Sequence, residues 1–109
     1  MRILFRQPPN RNTQNTFKMI YLCHGSSMLP TFSKLGLVRI KKSKEYKTGD
    51  IISLKTLDKK YHCHRIVEIN NQWVSTKGDN LEQQWYEIQV PLKNIGGKVI
   101  WSYPKKRLR

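Results

Sequence analysis

The apolar residues of this chain come in runs of strand length cut by turn-forming residues, and no window sustains a period of 3.6. A chain patterned this way cannot cover a core with amphipathic helices and must build it from strands. Residues 18–23 are apolar and run into His24-Gly25. Leu35–Lys41 alternates, with Leu35, Leu37 and Arg39 on one face and Gly36, Val38 and Ile40 on the other. Residues 50–57 alternate in the same way. Residues 60–69 form a third run, and Asn70-Asn71 turns it back into residues 72–77. Residues 27–33 fit one helical turn around Pro30, 46–49 a turn, and 78–89 an irregular loop. Residues 90–102 close the chain, with a break expected at Gly96-Gly97. The predicted class is mainly β: short twisted strands with at most one or two short helical turns.

A length of 109 residues suits one domain with a modest core. Residues 7–16 are polar, Pro-led and aperiodic, so 1–17 is expected to be a basic, flexible N-terminal arm. The β domain is expected over 18–104 and a basic tail over 105–109. Lys and Arg number 21 against 7 Asp and Glu, a net charge of +14. Such a surface attracts phospholipid headgroups, nucleic acid or acidic proteins. The basic ends predict weak binding to an anionic membrane surface that falls as salt rises. No run approaches the ~20 apolar residues that span a bilayer, and the N-terminal residues include no apolar run long enough to predict a secretory signal. The expected location is therefore membrane-peripheral or cytoplasmic. Two cysteines, Cys23 and Cys63, are too few for a disulfide scaffold and fit free thiols, with one bridge between them as the alternative.

Three short segments carry potential chemistry. In Gly25-Ser26-Ser27-Met28-Leu29-Pro30-Thr31, Gly25 permits a sharp turn before the serine and Pro30 fixes the chain after it. A serine on a constrained corner exposes its hydroxyl beside a backbone N–H that can face the same atom, as an oxyanion hole requires. Taken alone, a serine before a helical turn is more often a helix cap. In Tyr61-His62-Cys63-His64-Arg65, strand geometry puts His62 and His64 on one face and Cys63 on the other. An imidazole can take a hydroxyl proton and return it to a leaving amine, although a solvated strand histidine is the commoner case. In Thr76-Lys77-Gly78-Asp79-Asn80, Asp79 can accept turn hydrogen bonds or orient an imidazole. Cys23, His24, His62, Cys63 and His64 raise a metal site. Cys63 points away from the histidine pair and no C-x-x-C occurs, so no metal or other cofactor is expected.

Ser-Met-x-Pro-Thr, then Gly49-Asp50-Ile51-Ile52, then His64-Arg65-Ile66-Val67, then Lys77-Gly78-Asp79-Asn80, in this order, resembles the signal peptidase I family of serine peptidases. The closing residues 90–99 are similar to the last segment of those domains. The bacterial branch has a lysine where this chain has His64, so the resemblance is to the archaeal and endoplasmic-reticulum branch. It implies a signal-peptidase/repressor-protease-like β domain that cleaves an extended peptide after small residues, the peptide bound as an added strand. It maps Ser27 to the nucleophile, His64 to the general base and Asp79 to the acid of the Gly-Asp-Asn segment, with Asp50 a distant second. Ser26, Met28, Leu29 and Pro30 would border the oxyanion and substrate cleft, Met28 and Leu29 being equally suited to the core. Eukaryotic relatives carry further acids after this segment, where here only Glu82 is acidic, and the family's membrane anchor is not found.

Other readings stand beside it. One is a soluble maturation or self-cleaving protease acting on a single partner. Another is a non-catalytic basic β domain binding nucleic acid, suggested by the charge and by Trp73, Trp85, Trp101 and five tyrosines. The sequence lacks the regular aromatic-basic strand motif that the latter needs, so nucleic acid is the less favoured partner. The oligomeric state is left open.

Overall fold

A computed structural model describes residues 2–6, 18–57, 60–83 and 87–104. Among them are eight strands: β1 (Arg2–Arg6), β2 (Lys18–His24), β3 (Leu35–Lys41), β4 (Ile51–Lys55), β5 (Tyr61–Ile69), β6 (Trp73–Lys77), β7 (Glu87–Pro91) and β8 (Ile95–Tyr103). The only helical elements among the described residues are 3-10 turns at Leu81–Gln83 and Leu92–Asn94. The mainly β class expected from the patterning is what the chain adopts.

The strands form one antiparallel sheet in the order β1-β2-β3-β8-β4-β5-β6-β7. That sheet curls on itself, because β1 also meets β5 where Arg2 faces His62. Six strands therefore close a circuit, β1-β2-β3-β8-β4-β5 and back to β1, while β6 and β7 extend outward from β5. Closure pairs the β1 edge that an open sheet would expose and leaves β7 as the outer edge of the described sheet.

Two apolar layers follow from the alternation. Cys23, Met28, Phe32, Val38, Ile40 and Cys63 fill the inside of the circuit, with Ile3, Tyr21, Ile51 and Val99 packed against them. Ile52, Leu54, Ile66, Val74, Ile88 and Val90 make a second layer on the other side of β4 and β5, roofed by β6 and β7. Strand β4 is buried on both faces, Ile51 toward one layer and Ile52 and Leu54 toward the other. On β3 the expected division holds: Val38 and Ile40 are buried, while Leu35, Leu37 and Arg39 face out.

The structure differs from the sequence reading at the N-terminus and along the closing run. Ordered chain was expected from about residue 18, yet Arg2–Arg6 is already a strand, held by main-chain pairing that side-chain patterning does not reveal. The expected arm at 7–17 and the tail at 105–109 lie outside the described residues. Residues 90–102 were read as one closing run broken at Gly96-Gly97. Instead β7 ends at Pro91, a 3-10 turn intervenes, and β8 passes through both glycines. The absence of a side chain at Gly96 lets β8 close on β4, since a Cβ there would lie 2.6 Å from Ser53 Oγ. Cys23 and Cys63 are both buried free thiols.

Candidate active site

The site is built from the turn that follows β2. Gly25 takes φ 124°, a conformation side-chain-bearing residues rarely adopt, and reverses the chain out of the strand. Its N–H donates to the Lys34 carbonyl at 2.8 Å, closing the base of the 26–33 loop. Within the loop, Leu29 N–H donates to the Ser26 carbonyl (3.1 Å) and Phe32 N–H to the Met28 carbonyl (2.9 Å), so two hydrogen-bonded turns with a cis Leu29–Pro30 peptide stand where the sequence predicts one helical turn. Met28 is fully buried and Phe32 nearly so, both inside the circuit. These two anchors pin the loop from within, leaving Ser27 half-buried at its corner. Of the two roles open to Met28, the structure gives it the core rather than a cleft wall. Leu29 is half-buried and Pro30 exposed.

The second half comes from the end of β6. Asn80 N–H donates to the Ser27 carbonyl at 2.8 Å, and Asn80 Nδ2 to the Ser26 carbonyl at 2.9 Å. Gly78 packs directly on Ser27: a Cβ there would lie 2.2 Å from the Ser27 carbonyl oxygen. The Gly78–Asn80 segment therefore fixes the peptide of the serine through main-chain contact that any side chain at 78 would prevent. Lys77 faces Arg65 in the β5–β6 ladder, and one further step of that register carries Gly78 toward His64. The sequence reading named Asp79 in this turn; Gly78 and Asn80 make the contacts with Ser26 and Ser27.

His64 lies on β5 with only 1% of its surface exposed. Its ring centroid is 6.2 Å from that of His62, as expected for strand neighbours on one face. Burial, with the neighbouring His62 adding to it, pushes its pKa from 6.5 down to about 3, while the negative charge of Asp79 acts in the opposite direction. The imidazole is thus neutral at physiological pH, the form that can accept a proton.

Asp79 is engaged elsewhere than at the imidazole ring. Arg65 Nε donates to its Oδ1 at 2.8 Å and Arg65 Nη2 to its Oδ2 at 2.7 Å, a two-pronged ion pair. Thr31 Oγ1 donates to Oδ2 at 2.5 Å. Burial works to raise the Asp79 pKa, but the hydrogen bonds from Arg65 and Thr31 and the Arg65 charge outweigh it and hold the carboxyl below its ordinary value. Arg65 also donates through Nη1 to the Gly49 carbonyl at 2.7 Å. One carboxylate therefore ties the serine loop, through Thr31, to the residue after His64. Sequence reasoning did not assign Arg65 or Thr31 a role, although both lie in the segments that carry the resemblance.

Asp50 has a separate task. Its Oδ2 accepts from Lys47 N–H at 3.0 Å and its Oδ1 lies 3.3 Å from Lys98 Nζ, so it shapes the turn before β4. Glu82 is exposed on its 3-10 turn. Among the described residues no cluster of three or more His, Cys, Asp or Glu could hold a metal ion. None of their helices is long and apolar enough to cross a membrane. No family model, curated protein or solved structure matches the chain.

Proposed function

We propose that the chain is a serine endopeptidase of the signal-peptidase type, with Ser27 as nucleophile and His64 as general base, acting on an extended peptide. One observation carries this reading: the main chain of Ser27 is locked on Gly78, at the step of the β5–β6 register that leads to His64. Nucleophilic catalysis needs a rigid serine within reach of a neutral imidazole, and the register step from Gly78 toward His64 supports that pairing. The finer assignment to the signal-peptidase/repressor-protease-like fold belongs to this proposal and rests on the order of the four segments in the sequence.

The chemistry follows from the groups present. A peptide added as a strand brings its scissile carbonyl to Ser27. The hydroxyl attacks the carbonyl carbon as its proton passes to the His64 imidazole. The N–H beside the serine, its peptide held by Asn80, faces the developing oxyanion; one such donor contributes about 3 kcal/mol to the transition state. The imidazolium then protonates the departing amine, leaving an acyl-serine. Neutral His64 next takes a proton from a water that attacks the acyl carbon, and the imidazolium returns it to the Ser27 oxygen as the acyl bond breaks and the acid leaves. Because burial makes the imidazolium costly, the opposing charge of Asp79 favours the charged intermediate. Asp79 is a positioning residue in this scheme: it holds Thr31 and Arg65, and acts on His64 through its field. The 26–33 loop contributes the substrate border through Ser26, Leu29 and Pro30.

A library of extended peptides with small residues at the cleavage point tests the reading. Wild type is expected to cleave, and Ser27→Ala and His64→Ala to fall by at least about a thousandfold. Full cleavage by Ser27→Ala would end the proposal; full cleavage by His64→Ala would move the base to another group, Lys77 first.

A further inference from the structure

We propose that the open end of the six-strand circuit is a binding site for a phosphate-bearing ligand of about mononucleotide size. A cavity of about 620 Å3 lies there. Its volume falls among those of small-molecule sites, which favour the mouths of β-barrels. Five strands of the circuit border it, through Ile3 from β1, Tyr21 from β2, Lys55 from β4, Tyr61 from β5 and Gly96 from β8, and Lys42 joins them from just past β3. It is a property of closure, not of one loop. Neither Ser27 nor His64 lines it, so it is separate from the candidate active site.

The chemistry of the wall selects the ligand. Lys42, Lys55 and Lys93 line the cavity from three distant segments, and no carboxylate is among the described residues that line it. Three lysines bordering one concavity carry a charge that suits a dianion better than a single carboxylate. Lys55 is fixed from two sides: Asn94 Nδ2 donates to its carbonyl at 2.7 Å, and its Nζ sits 5.9 Å from the centre of the Tyr61 ring. Ser53, only 3% exposed, adds a hydroxyl to the lining beside Gly96. Tyr21 and Tyr61 offer aromatic surface on either side of β1, suited to a planar ring carried by the phosphate. A polynucleotide would require a repeating stripe of such groups, and this is a single enclosure.

The same chemistry could reach the site as a soluble phosphorylated compound or as the phosphate of a lipid headgroup. Calorimetric titration with adenosine monophosphate, competition by inorganic phosphate, and co-sedimentation with phosphatidylcholine vesicles containing phosphatidic acid separate the two. Lys42→Gln, Lys55→Gln and Lys93→Gln are each expected to weaken binding by about tenfold. Lys44→Gln, an exposed lysine that does not line the cavity, is expected to leave it unchanged. Binding of the nucleotide with phosphate competition identifies a soluble ligand; retention on phosphatidic acid vesicles alone, lost in the three variants, identifies the headgroup. The proposal is overturned by no binding to either probe, by equal losses in Lys44→Gln, or by single-stranded DNA binding without the nucleotide. The titrations are repeated on Ser27→Ala, where unchanged affinity is expected, so this site and the peptidase reading stand or fall separately.

Discussion

At the scale of single residues, the burial of His64 sets a pH dependence that can be read without any substrate. Its pKa is 6.5 in an unfolded chain and about 3 in the folded one, chiefly through loss of water. Between these values the unfolded state binds the proton and the native state does not, so stability rises with pH across that window. The contribution is complete above about pH 6.5 and is lost as pH falls toward 3. Fully developed the difference corresponds to at most about 5 kcal/mol, of which about 2 is lost between pH 7 and 5. Denaturant unfolding at pH 7 and pH 5 should show that loss in wild type and a smaller one in His64→Gln. The His64 ring proton resonances should stay at their neutral positions from pH 7 to 4.5. A midpoint near 6.5 would show a hydrated ring. Asp79 adds in the same direction at lower pH: its depressed pKa gives stability that disappears once the carboxyl protonates. The Arg65–Asp79 pair is itself measurable. Arg65 is 36% exposed along its side chain, so solvent weakens the attraction, and a double-mutant cycle with alanine should give a coupling of about 1–2 kcal/mol. A coupling near zero would mean that Thr31 alone retains Asp79.

At the scale of elements, the serine corner depends on two packings of different kinds. Met28 anchors the loop in the inner layer, and Met28→Ala should cost about 2–5 kcal/mol in unfolding free energy. Gly78 fixes the outer side. Gly78→Ala should leave both apolar layers intact, since its Cβ meets only Ser27 among the nearest atoms, but must displace the serine main chain. The expected result is a near-native unfolding midpoint with peptide cleavage lowered at least about a hundredfold through kcat. A midpoint reduced as far as that of Met28→Ala would place Gly78 in the core scaffold instead. These two residues also mark how far the sequence can be read. The strands at 18–23, 35–41, 51–55, 61–69 and 73–77 were legible because apolar alternation and turn residues are local signals. The corner at Gly25 was legible for the same reason. The contact of Gly78 with Ser27 and the grip of Asp79 on Arg65 and Thr31 join residues up to 51 positions apart. Nothing in either segment alone encodes the other's position; only the order of the motifs hinted at it. β1 was missed because five residues next to a polar stretch show no alternation long enough to separate from an arm.

At the scale of the whole molecule, that missed strand decides whether the sheet is a circuit or an open sheet. β1 covers the edge of β2 from Tyr21 to His24 and meets β5 at His62. Behind it sit Cys23 and Cys63, both fully buried. A hydrogen bond that the Cys63 thiol donates to Cys23, together with burial, pushes Cys63 well above its ordinary pKa, so it is a poor nucleophile while the circuit is shut. Removing residues 1–6 exposes the β2 edge and unroofs both thiols without touching the layer under β6 and β7. A small aromatic disulfide reagent should then modify Cys23 and Cys63 about a hundredfold faster than in the full chain, the change that follows when ~3 kcal/mol of local protection is lost. The outer layer should keep its slow amide exchange at Ile66, Val74 and Val90. Loss of protection in both layers together would mean that the two cores fold as one unit. Unchanged thiol rates would mean that β2, β3 and β5 shield the inner layer unaided, and that closure by β1 serves the cavity at the open end rather than the core.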